Sequence, residues 1–288
     1  APDAEIVVEM QNRGGSTVMM TVEGSPVIPI ITEDGATSTL TYTPPTAFVS
    51  GQEINVGLTY GNATAAWGYV IETGSKALMF GALGNPGDDW VAARLASEFG
   101  LDVEVVDSTS ISAQLAFDKA AAASLVYISS SVLGGNTNSV AVFSQIAGLA
   151  VPILCVEQAS IDELVLKEGG AGTTPGGGRF DRLVITDATH PTAGGLPLGS
   201  NVLLTASGEQ HHWADAPANG ALVGELPDFA ANIGKDVHWV VDAGVLVNGV
   251  ASPGRRAFFG FVGNNGAASL NTDGVALWDA LINWMLGN

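Results

Sequence analysis

Basic side chains are scarce in this chain. Ten Lys and Arg stand against twenty-nine Asp and Glu, a formal net charge of −19, and lysine occurs only at Lys76, Lys119, Lys167 and Lys235. A surface this negative repels phosphate backbones, which excludes nucleic acid as a partner and argues against anionic membranes. Low lysine with excess carboxylate suits an exported protein, a saline habitat or a surface that binds divalent cations, and the composition leaves all three open. Cysteine is nearly absent: Cys155 stands alone, so no internal disulfide forms, and a lone cysteine of this kind is expected to be buried and inert. No apolar run reaches the ~18 residues that a membrane span needs. No charged-then-apolar leader opens the chain; Ala1-Pro-Asp-Ala reads as a mature end left by signal-peptide removal, so an extracellular or cell-surface location is expected. What is abundant is apolar residues, at 47% of 288, with mean hydropathy +0.30. That is enough for two packed domains.

Residues 4–73 carry no helical periodicity. Short β-branched segments, among them Glu5–Met10, Thr17–Val22, Val27–Thr32 and Glu53–Tyr60, alternate with turn signals such as Gly14-Gly15, Asp34-Gly35 and Gly61-Asn62. In Ile54-Asn55-Val56-Gly57-Leu58 every second residue up to Leu58 is apolar, as on a strand with one face buried. The pattern predicts a small antiparallel sandwich over residues 1–73. The stretch TVEGSPVIPIITEDGATSTLTYTPPTAFVSGQEINVGLTYGNATAAWGYVIET resembles the immunoglobulin-like modules of secreted bacterial proteins.

From residue 74 to 288 strands and helices alternate. Lys76–Phe80, a turn GALGNPG, an amphipathic helix ending at Gly100 and the strand LDVEVVD form a βαβ unit. Asp88 or Asp89 is expected to cap its helix, and Thr272 or Asp273 the closing one. A helix is also expected at Ser160–Leu166. Near-continuous apolar strands imply a mostly parallel sheet with helices on both faces. The segments YISSSV, VPILCVE, ITDATHPTAGGL and DGVALWDALINWML resemble the class I glutamine amidotransferase-like family, and especially its ThuA-like members. The resemblance implies a flavodoxin-like α/β domain preceded by the immunoglobulin-like sandwich.

The chemistry is less legible. Catalytic cysteines of amidotransferases sit at a strand-to-helix elbow among small residues. Cys155 is instead mid-strand in Pro152-Ile153-Leu154-Cys155-Val156, followed by Glu157-Gln158, and reads as a small core residue. Ser129-Ser130-Ser131 ends a strand at the carboxyl edge, where open α/β sheets place ligands, but no G-x-S-x-G surrounds it. Gly81-x-x-Gly84-x-x-Gly87 matches neither the dinucleotide fingerprint nor the P-loop, and Asp88 and Asp89 would repel phosphate. His190 precedes proline and shapes a turn; His211 and His212 point to opposite faces of a strand. Glu33-Asp34 and Asp88-Asp89 are candidate calcium sites, otherwise solvated turns, and no other cofactor is expected. Trp213 is the candidate carbohydrate platform.

With the amidotransferase elbow missing, the leading expectation is a non-catalytic secreted or surface protein. It would self-assemble into a filament or surface layer through Glu5, Ile6, Val7, Val8, Glu9 and Met10, or adhere to polysaccharide or other surface proteins. The alternative is a ThuA-like hydrolase of sugar-derived or amide substrates, with Ser130, Glu157, His190 and His211 converging.

Overall fold

The computed structural model describes residues 6–11, 17–45, 53–61, 63–70, 75–132, 134–164, 176–202, 209–227, 235–260 and 267–288. The chain divides into two units, Ala1–Gly74 and Ser75–Asn288.

The first unit is all β. Its strands are β1 (Ile6–Gln11), β2 (Val18–Val22), β3 (Ser25–Val27), β4 (Ile30–Asp34), β5 (Thr37–Tyr42), β6 (Glu53–Tyr60) and β7 (Ala63–Val70). They pair as two antiparallel sheets, β1-β5-β4 and β3-β2-β6-β7. Ile6 and Leu40 from one sheet pack against Met20, Val22, Ile54, Val56 and Leu58 from the other, so the alternating residues of β6 do face the core. The run 27–32 is two strands rather than one. Pro29 has no N–H for a ladder, and the chain leaves one sheet at Val27 and joins the other at Ile30. Glu5 lies outside the described residues. Val7 and Met10 sit on β1, which among the described residues ends its sheet and pairs only with β5.

The second unit alternates. It runs β8 (Lys76–Phe80), α1 (Pro86–Phe99), β9 (Asp102–Val106), α2 (Ala113–Ala121), β10 (Leu125–Ile128), α3 (Thr137–Ile146) and β11 (Ile153–Cys155). Then follow β12 (Gly176–Phe180), β13 (Arg182–Ile185), β14 (Gly199–Val202), β15 (Glu209–Trp213), β16 (Ala221–Glu225) and β17 (Asp236–Val241). A small hairpin of β18 (Leu246–Val247) and β19 (Val250–Ala251), then β20 (Arg256–Phe259) and α4 (Thr272–Leu286), complete it.

Among the described residues the main sheet has the order β14-β13-β16-β17-β20-β11-β10-β8-β9. Its β9-to-β20 half is parallel and the remainder antiparallel, so the sheet is mixed. Within the parallel half the strands stand in the order second, first, third, fourth, fifth, which is the flavodoxin-like arrangement. Alternate residues of each strand feed two cores. Ala77 and Met79 join Val91 and Leu95 of α1 and Leu277, Trp278 and Leu281 of α4 on one face. Leu78 and Phe80 join Ala116 and Ala120 of α2 and Val142, Phe143 and Ile146 of α3 on the other. Trp90 meets Trp278 edge-on at 5.3 Å, and the Arg94 guanidinium grips Asp279 with bonds of 2.6 and 2.5 Å, which ties α1 to α4.

Three local expectations are corrected. Asn85, not Asp88 or Asp89, caps α1: its Oδ1 accepts from the Gly87 and Asp88 N–H groups, with Pro86 at the first helical position. Asn271, not Thr272 or Asp273, caps α4 through Gly274 N–H. The segment after β11 is a single 3-10 turn at Gln158–Ser160 rather than a helix from Ser160, because the Glu157 carboxylate caps it at Ala159 N–H; residues 165–175 lie outside the described residues. Among the described residues no helix is long and apolar enough to cross a membrane.

Candidate functional site

In a sheet of this order the crevice opens at the carboxyl edge, where the chain leaves β8 in one direction and β10 in the other. A cleft of about 430 Å³ lies there, lined by Gly81, Ala82 and Leu83 after β8, Val105, Val106, Asp107 and Thr109 around the end of β9, and Ser131 and Val132 after β10.

Asp88 organises this edge from below. With Asn85 as the cap, its side chain turns away from its own helix end. Oδ2 accepts from Ala82 N–H at 2.7 Å and from the Ser131 hydroxyl at 2.5 Å, and Oδ1 accepts from the Ser129 hydroxyl. One buried carboxylate, 4% exposed, thus pins the loops after β8 and β10 together. Gly81 is required beside it: a Cβ there would stand 2.8 Å from Asp88 Oδ2 and 3.1 Å from Met79 Cε. Burial and the Asp88 charge together hold the Tyr127 phenol well above its ordinary range. Asp89 accepts from Gly84 N–H at 3.0 Å. At the far wall, Asp107 accepts from Thr109 N–H and hydroxyl at 2.8 Å, and these bonds hold its carboxyl below the usual range.

One strand over, Glu157 follows β11 and is 5% exposed. Burial pushes its pKa up to about 7 against the lowering effect of the Ala159 N–H bond. The loop after β10 lies directly on it, since a Cβ on Gly134 would stand 3.0 Å from Glu157 Cγ and 2.6 Å from Ser160 Oγ. Among the described residues, Ser160 Oγ and Gln158 Oε1 on this turn and Glu163 Oε2 just after it are buried without a hydrogen-bond partner. Burial and the neighbouring Asp162 raise Glu163 as well.

The other candidates fall elsewhere. Ser130 is half-buried in the loop between the two serines that Asp88 holds. His190 caps the 3-10 turn Pro191–Ala193, its Nδ1 2.9 Å from Thr192 Oγ1 and its ring 5.9 Å from that of Trp284 near the end of α4. Asp187 accepts from Thr189 and His190 N–H, so this pair is a turn rather than a charge relay. Burial lowers the His190 pKa. Trp284 is also stacked by Arg255, the residue before β20, so His190 belongs to the end of the sheet opposite the cleft. His211 lies on β15 opposite Gly178, and its side chain is outside the described residues. His212 is buried, and burial alone lowers it to about 4. Trp213 is half-buried against the α1–α4 core, so it does not stand out as a platform. Cys155 is fully buried, its Sγ donates to Glu157 O at 3.1 Å, and burial pushes the thiol far up, which removes it as a nucleophile. Glu33, on the exposed strand β4, accepts from Ser38 at 2.5 Å. Among the described residues no group of three or more His, Cys, Asp or Glu is placed to hold a metal ion.

Sequence reasoning missed the part Asp88 plays. The signal was present: Asn85-Pro86 is a stronger cap and first-position pair than anything at 88, and it leaves Asp88 without local work.

No family model matches the chain, and no curated protein matches it. Several solved structures are similar in fold. One is a glutamine amidotransferase of Thermotoga maritima, 10% identical, covering 74% of this chain and 99% of its own, with a TM-score of 0.42. Another is a ThuA-like protein of Parabacteroides merdae, 14% identical, covering 74% of this chain and 90% of its own, with a TM-score of 0.44. The expectation of a non-catalytic structural or adhesive subunit is corrected here. These two similar structures bear the names of a glutamine amidotransferase and a ThuA-like protein. The carboxyl edge carries two buried carboxyl side chains, Asp88 and Glu157.

Proposed function

We propose that the α/β unit is a hydrolase of amide or sugar-derived substrates, in the manner of a ThuA-like, class I amidotransferase-like domain that does without the cysteine. Glu157 takes a proton from water and returns it to the leaving group, while Ser131 and the turn Gly81–Leu83 position the substrate in the cleft. The observation that carries this reading is a desolvated carboxyl with a pKa of about 7, under the loop that forms one wall of the cleft. A general acid–base group is most effective when its pKa lies near the working pH. Burial of Cys155 leaves water as the attacking group. The N-terminal unit, a three-stranded sheet packed on a four-stranded one, is read as immunoglobulin-like.

The test is a panel of chromogenic glycosides, lactones and amides, including glutamine, assayed across pH 5–9. Turnover is expected to change through an inflection near 7 and to fall by about 100-fold or more in Glu157→Gln, with the circular dichroism spectrum unchanged. A folded Glu157→Gln variant with wild-type turnover, or a wild type that turns over nothing in the panel, overturns the reading.

A further inference from the structure

The turn between β8 and α1 has the position and the glycine content at which open α/β sheets hold phosphate: carboxyl edge, switch point, helix N-terminus. Such a site works because several backbone N–H groups are left without partners and point at the ligand. Here the chain uses them itself. Gly81 N–H donates to Val106 O, Ala82 N–H to Asp88 Oδ2, Gly84 N–H to Asp89 Oδ1, Asn85 N–H to Ala82 O, and Gly87 and Asp88 N–H to Asn85 Oδ1. The two hydroxyls that could replace them, Ser129 and Ser131, also donate to Asp88.

We infer that Asp88 fills the anion position of this fold from within, so that the cleft admits a ligand end bearing hydroxyl or amine donors and excludes phosphate and carboxylate groups. Three observations beyond the helix end agree. The cleft is open, at about 430 Å³, so exclusion is not for lack of room. Among the described residues its lining contains the Asp107 carboxylate and no Lys or Arg. Its remaining wall, Leu83, Val105, Val106 and Val132, offers apolar contact of the kind the carbon face of a sugar or a short alkyl amine makes. An anion entering there would meet the Asp107 carboxylate with most N–H donors of the turn, those of Gly81, Ala82, Gly84, Asn85, Gly87 and Asp88, already spent. Asp88 is therefore a specificity-determining residue. The inference narrows the substrate of the proposed hydrolase, yet it stands on the turn's own hydrogen bonds and is read as binding, so its failure and the failure of the Glu157 reading are separate results.

The experiment follows the backbone amide resonances of residues 81–88, Thr109 and Ser131 during titration with inorganic phosphate, and with uncharged sugars and alkyl amines paired with their phosphate or carboxylate derivatives. In the wild type, phosphate is expected to leave these resonances unmoved at millimolar concentration, and at least one uncharged sugar or amine to shift them while its anionic derivative binds more weakly by roughly tenfold or more, as a repelled unit charge implies. Asp88→Ala releases Ala82 N–H and both serine hydroxyls and is expected to gain phosphate binding. If that variant does not fold, the exposed pair Asp89→Ala with Asp107→Asn, which releases Gly84 N–H and lowers the negative charge, is expected to gain it more weakly. Phosphate shifts in the wild type, an anionic derivative that binds as well as its parent, no sugar or amine that binds, or folded variants that gain nothing would each overturn the inference.

Discussion

Arg256 shows how far a single side chain can differ from what its charge suggests. It is 1% exposed in a protein short of cations, and among the described residues no carboxylate pairs with it. Its guanidinium instead donates to Val151 O and Arg255 O from Nη1, and to Ala147 O and Leu149 O from Nη2, at 2.6–3.0 Å. These carbonyls include the unsatisfied end of α3, where the helix dipole is negative. Burial lowers its pKa only to about 10, so the side chain stays charged at neutral pH. Arg256→Met is expected to cost about 3 kcal/mol in chemical denaturation, the scale of leaving several buried carbonyls without donors. Arg256→Lys is expected to recover only part of that, because an ammonium cannot fork to four acceptors in this geometry. Little of this was legible in the sequence: apart from the neighbouring Arg255 O, the acceptors lie about a hundred residues upstream, and only the fold brings them together. The same holds for Asp88, whose serine partners are 41 and 43 residues away, and for Glu157, whose raised pKa comes from burial alone. Cys155 was legible because its apolar neighbours in one strand already describe its surroundings.

Elements were more readable than residues, since their signal is local periodicity. The alternation in β6 and the helical spacing in α1 both point the way the structure takes them. What failed was punctuation: caps fell one to four residues earlier than expected, and Pro29 split a strand. The 3-10 turn Pro191–Ala193 shows why some short elements are fixed all the same. Gly194 follows it at φ +64°, and a Cβ there would stand 2.8 Å from Leu277 Cα and 2.9 Å from Ala276 O of α4. The contact is with helix backbone, which cannot rotate aside. Gly194→Ala should therefore combine left-handed strain with a forced shift of α4 and cost about 2–4 kcal/mol, read as a fall in the denaturation midpoint. Gly84→Ala, at φ +86° with open space around it, isolates the strain alone and should cost about 1 kcal/mol. If the two variants are equally stable, the close packing of the turn on α4 is not what fixes Gly194.

For the whole α/β unit, buried titratable groups of opposite kind set the response to pH. His212 and His238 are buried and lowered to about 4, so they fold neutral, and their contribution is lost as pH falls from 6.5 through 4. Glu157 is raised to about 7, so it also folds neutral, and its contribution is complete below about 4.5 and lost as pH rises towards 7. Glu163 is shifted in the same direction as Glu157. Between pH 4.5 and 6.5 the histidines bind protons on unfolding while the glutamates release them, so the slopes oppose each other and the unit's stability should change little. Replacing one side exposes the other. Glu157→Gln keeps the shape, removes the group that must ionise while buried, and leaves the histidine slope less opposed. Its stability relative to wild type is expected to be near zero at pH 5 and to become positive by pH 7–7.5. The gain there is bounded at about 3 kcal/mol by a shift of this size. Thermal or urea unfolding of both proteins at these pH values measures it. A pH-independent difference between them would mean that Glu157 is ionised throughout the range, and the acid–base role assigned to it would fall with its raised pKa. A growing difference, together with lost turnover in the same variant, would mark a carboxyl kept buried beneath the loop after β10 at the expense of stability, as functional groups often are.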